Sequence, residues 1–138
     1  METRDLLRYQ IIKSVIAQHP ETGAAINLWE RLASHIIEIV GESGFQSLYK
    51  RSIFLTRPRF HWLASGYLLS QTDYHFAELK ESFEATTFAQ ASEANTLLLL
   101  NFTGILASII GEQLTITILR SAWGIEAANG ISKEFKNE

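Results

Sequence analysis

Cysteine is absent from the 138-residue chain. With it go disulfides, thiolate nucleophiles, zinc ribbons and iron–sulfur clusters. The absence fits a reducing compartment, and the cytoplasm is the expected location. Proline occurs twice and glycine eight times, too few for a disordered or collagen-like chain. The opening METRDLLRYQ carries charges where a secretory leader needs an apolar stretch. The most apolar run, LLLLNFTGILASII over 97–110, is interrupted by Asn101. It falls short of the roughly 20 residues that cross a bilayer, so no transmembrane segment is expected and the run reads as a helix buried at the centre of a domain.

Signatures of chemistry are missing too. The sequence contains no GxxxxGK[ST], GxGxxG or HExxH and no nucleophile elbow, so nothing points to an enzyme, a cofactor or a metal site. The pairs His35/Glu38 and His75/Glu78 each sit one helical turn apart. Their order is the reverse of the Glu-x-x-His used by di-metal bundles.

Acidic residues are missing between Glu42 and Asp73, a stretch that holds Lys50, Arg51, Arg57, Arg59 and His61. Basic residues interleaved with aromatics can bind nucleic acid, but an acidic chain of pI near 5.8 argues against such a partner. Lys50, Arg57, Arg59, His61 and Trp62 are instead expected to form a docking patch. Its partner would be an acidic protein surface or the acidic helix of a second copy, so a homodimer is expected.

What the chain does have is apolar residues, 46% of the total, spaced for helices. The expected fold is all-α, a bundle of six main helices over 4–18, 22–40, 43–56, 73–85, 87–110 and 113–123, with a short seventh at 58–66. Residues 1–124 form a single helical domain, and 125–138 a polar, flexible tail.

A repeat underlies this pattern. At an offset of 70, Leu28, Leu32, Ile36, Ile39, Val40, Gly41 and Glu42 fall on Leu98, Phe102, Leu106, Ile109, Ile110, Gly111 and Glu112. Dropping one residue after the Gly-Glu pair then sets Arg51-Ser52 on Arg120-Ser121. The repeat implies two pseudo-symmetric three-helix halves, 4–56 and 74–123. It also resolves LTITIL at 114–119, whose alternation reads as a strand. A copy of the helix over 43–56 must itself be a helix, and a lone strand would leave its backbone groups unpaired. Within one helix the repeated Glu and Arg stand too far apart to pair. Across a pseudo-two-fold axis, Glu42 is expected to meet Arg120, and Glu112 to meet Arg51, as structural ion pairs.

Function reads most simply as a non-catalytic interaction or regulatory module. The alternative is a binding domain for a small apolar or anionic ligand held between the halves, with Asn95, Asn101 and Thr103 as its polar groups.

Overall fold

The computed structural model describes residues 3–18, 21–63 and 76–124. Among them the fold is all-helical, with five helices in a bundle: α1 (Thr3–Gln18), α2 (Thr22–Thr56), α3 (Ala77–Glu84), α4 (Phe88–Ile110) and α5 (Glu112–Trp123). The two helices expected over 22–40 and 43–56 are the two arms of α2, joined across a kink at Gly41, whose backbone leaves helical geometry at φ 83°, ψ 169°. Residues 57–63 form turns rather than the expected short helix, and 64–66 lie outside the described residues. So do His75, the start of the helix expected over 73–85, and residues 125–138, expected to form the tail.

Helix α4 is the hub: α1, α2, α3 and α5 all pack on it. Thr87 caps its start, the hydroxyl accepting from the Gln90 N–H at 3.1 Å, which satisfies one of the free donors of a first turn. At 23 residues α4 is long and apolar enough to cross a membrane, and its inward stripe (Ala94, Leu98, Leu99, Phe102, Leu106) is buried against the other helices. The core centres on five rings from three segments. Trp29 meets Tyr49 edge-on at 5.4 Å and Phe102 at 5.3 Å. Phe45 meets Phe102 at 5.5 Å, and Phe76 leans on Trp29 and Tyr49. Each such pair adds about 0.5–1.5 kcal/mol beyond the area it buries.

The LTITIL segment is helical. Thr115, Ile116, Ile118, Leu119, Ala122 and Trp123 are buried while Leu114 is exposed, a helical stripe rather than an alternation. The hydroxyl of buried Thr115 donates to the Gly111 carbonyl at 2.8 Å, so the β-branched residue meets its polar need inside the helix. Burial of the apolar stripe, at roughly 1.5–3 kcal/mol per large side chain, exceeds the few tenths of a kcal/mol that each β-branched residue loses in helix propensity.

Burial runs in step between the two repeated stretches. Leu28, Trp29, Leu32, Ala33 and Ile36 are buried, and so are Leu98, Leu99, Phe102, Thr103 and Leu106, their counterparts at an offset of 70. Ile39 and Ile109 are both exposed. Beyond the glycines the offset stays at 70: Phe45, Leu48, Tyr49, Ser52 and Ile53 are buried, as are Thr115, Ile118, Leu119, Ala122 and Trp123. The one-residue loss that would align Arg51 with Arg120 is therefore not followed; Lys50 and Arg120 share the exposed position. The match does not extend to α1 and α3, since Leu79 and Phe83 are buried but Tyr9 and Lys13 are not.

Gly41 and Gly111 (φ 97°, ψ 153°) occupy backbone regions open essentially to glycine alone. A methyl group added at either would touch nothing within 4 Å, so its cost is purely conformational. Gly41→Ala and Gly111→Ala are each expected to lower unfolding free energy by about 1–3 kcal/mol in chemical denaturation. Gly23→Ala, in a helical turn with open space around it, should instead stabilise by about 0.5–1 kcal/mol.

Candidate functional site

The basic patch is built by the end of α2 and the turn after it. Arg57 keeps helical dihedrals and its N–H reaches the Ile53 carbonyl. Helical spacing therefore carries through Lys50, Phe54 and Arg57, one face of the last turns. All three are exposed, Phe54 at 69%. Arg51 and Leu55 extend the exposed surface beside them. In the following turn the Arg59 guanidinium lies 5.5 Å from the Phe60 ring centre, and His61 Nε2 lies 2.8 Å from the Pro58 carbonyl oxygen. Trp62 departs from the expected patch: it is half-buried, edge-on to Phe60 at 5.8 Å and to Phe83 at 6.4 Å. Its indole closes the core edge, while Lys50, Arg57, Arg59 and His61 face solvent. Sequence reading missed Phe54 as a patch member, although its place between Lys50 and Arg57 at helical spacing was the available signal.

The expected cross-repeat ion pairs are replaced by another. The Glu112 carboxylate accepts from Arg8 Nε at 2.8 Å, not from Arg51. Among the described residues no ion pair joins Glu42 to Arg120. Arg51 and Arg120 point into solvent, where ion pairing gains little. Arg8 also donates from Nη1 to Thr103 Oγ1 at 3.1 Å and to the Leu100 carbonyl at 3.2 Å. It enters beside Gly104, where an added Cβ would sit 3.6 Å from Nη1. Arg8 is only 7% exposed, whereas its apolar neighbour Leu7 is exposed. The buried face of α1 is Arg8, Ile11, Ile12, Val15 and Ile16. Hydropathy cannot reveal a buried arginine, because its partners come from residues 92 to 104 positions away.

The three polar residues expected to line a ligand site are separate. Thr103 belongs to the Arg8 cluster and also donates to the Leu99 carbonyl. Asn101 Nδ2 donates to Thr56 Oγ1 at 2.9 Å, and Thr56 donates onward to the Ser52 carbonyl at 2.7 Å. Asn95 Oδ1 accepts from Trp29 Nε1 at 2.8 Å. His35 places Nδ1 at 3.1 Å from the Arg31 carbonyl and Nε2 at 3.5 Å from Ser121 Oγ. Among the described residues no three His, Cys, Asp or Glu converge as metal ligands would.

Concave surface lies between α1 and α4. A groove of about 290 Å³ is walled by Lys13, Ile16, Ala17, Phe88, Ser92 and Glu93, among others. It adjoins a second of about 330 Å³ that reaches Tyr9, Arg59 and Leu100. They share Lys13, Glu93 and Thr96.

No protein family, curated protein or solved structure matches the chain. The functional reading therefore rests on the residues themselves.

Proposed function

We propose that this chain carries a helix–glycine–helix unit repeated pseudo-symmetrically in α2 and in α4–α5, works in the cytoplasm as a non-catalytic interaction module, and pairs with a second copy of itself. The observation that carries the reading is the exposed Lys50–Phe54–Arg57 stripe. It sets an aromatic anchor beside Arg57, residue types enriched in binding surfaces, and Lys50 adds a second positive charge that can steer an acidic partner. The same chain carries a complement. Helix α3 holds Glu78, Glu81 and Glu84, the latter two exposed. Each copy can thus set its acidic α3 against the basic face of the other, making two equivalent contacts around a two-fold axis. The equal offset of burial on both sides of Gly41 and Gly111 supports the duplication.

Sedimentation velocity across concentration and salt tests the pairing. A dimer at low salt that weakens as salt rises is expected, because exposed charges are screened. Lys50→Glu with Arg57→Glu should weaken self-association about tenfold or more, and mixing with a Glu81→Lys, Glu84→Lys partner should restore it. A monomer at high concentration in low salt would overturn the reading.

A second reading, a small apolar or anionic ligand held between helices, is favoured by the α1–α4 groove, whose apolar walls and few polar groups suit such a molecule.

A further inference from the structure

We propose that the cavity against Asn95 is a binding site for one hydrogen-bond-accepting oxygen, supplied by water or by the carbonyl of a small apolar molecule lying in the α1–α4 groove. The orientation of the Asn95 amide is fixed by its neighbour. The indole N–H of Trp29 can only donate, so the atom 2.8 Å away is the amide oxygen. The Nδ2 group then points the other way. Asn95 is 1% exposed, and its Nδ2 has no hydrogen-bond partner among the described residues. A buried amide donor left without an acceptor is costly, and native interiors satisfy such groups with protein atoms or an ordered oxygen.

The space beside it has the right size and lining. The cavity holds about 20 Å³, bounded by Ile16, Thr22, Phe83, Phe88, Ser92 and Asn95, with two alanines completing the wall. That is room for one oxygen, since a single water needs about 10–15 Å³. Thr22 and Ser92, both hydroxyl-bearing, line the same space, and an internal water usually takes about three polar partners. Ile16, Phe88 and Ser92 also wall the 290 Å³ groove. A carbonyl compound lying against Phe88 and Ala17 can therefore direct its oxygen inward while its apolar part stays in the groove. This site is independent of self-association: a protein that fails to dimerise leaves it standing.

The test is NMR on the full chain, reading the Asn95 side-chain amide protons. Long-lived water cross-peaks to those protons are expected, and Ser92→Leu, which fills the cavity and removes one hydroxyl, should abolish them. Cyclopentanone is then titrated as a carbonyl probe, with cyclopentane as the control lacking oxygen. Displacement of the water peaks by cyclopentanone alone assigns the site to carbonyl ligands. Retention of the water peaks against both probes assigns it to water. Absence of water cross-peaks together with no response of the Asn95 amide to cyclopentanone would overturn the proposal.

Discussion

Arg8→Ala is expected to lower unfolding free energy by about 3 kcal/mol, because removing one partner strands the other buried charge. The stranded group is Glu112, whose side chain is only 13% exposed. A loss of this size shifts the melting temperature by roughly 10 °C in a chain of this length. The effect should concentrate in α1, since Arg8 ties that helix to the end of α4 and the start of α5. Hydrogen exchange checks this: protection in α1 should fall more than protection in α4. The double variant Arg8→Met, Glu112→Leu should recover most of the loss, because an apolar pair of similar volume carries no desolvation cost. Thr103 keeps its own bond to the Leu99 carbonyl in that variant, so its hydroxyl is not orphaned. If Arg8→Ala melted with the wild type, Arg8 would be a solvated surface residue and the pair an incidental contact.

Trp29→Ala should be more damaging still. Trp29 is fully buried and touches Tyr49, Phe76 and Phe102, from α2, the entry to α3, and α4. Truncating a buried tryptophan costs about 3–5 kcal/mol, and losing its N–H leaves Asn95 Oδ1 buried without a donor, for about 1–3 kcal/mol more. Together these approach the whole stability of an ordinary domain. Trp29→Ala is therefore expected to remain largely unfolded at 37 °C by circular dichroism. Trp29→Phe, which keeps an aromatic ring, should fold with a loss nearer 2–3 kcal/mol. Equal stability of the two variants would show that the ring cluster is not what holds α2 to α4.

How each residue behaves in the fold shows which interactions were local. The stripes Leu28–Leu32–Ile36 and Leu98–Phe102–Leu106 are written at helical spacing, so their buried faces could be read before any packing was known. The two glycine breaks were equally legible. Gly41 and Gly111 end apolar runs at matching places, and both adopt a backbone that other residues avoid. At both the backbone leaves helical geometry in nearly the same way, Gly41 at φ 83°, ψ 169° and Gly111 at φ 97°, ψ 153°, so each marks a kink between two helical arms.

The candidate site divides the same way. Lys50, Arg57, Arg59 and His61 were legible as an exposed basic stretch because no acidic residue accompanies them. Trp62 was not, because the choice between solvent and Phe83 depends on where α3 lands. The paired charges illustrate the limit most clearly. Matching Glu42 with Arg120 and Glu112 with Arg51 assumed that repeated residues find repeated partners. Arg8, outside the matched stretches, is closer to Glu112 and shielded from water.

The sequence by itself determined the all-helical class, the positions of the glycine breaks, the central apolar helix and the segregation of charge, all of which depend on residues near one another in the chain. Only the tertiary structure decided that Arg8 is buried, that Trp29 orients the Asn95 amide, and that the first helix and the central one enclose a groove. Hydrogen bonds and ion pairs between distant residues act over a few ångströms, so which groups meet is settled only when the helices pack.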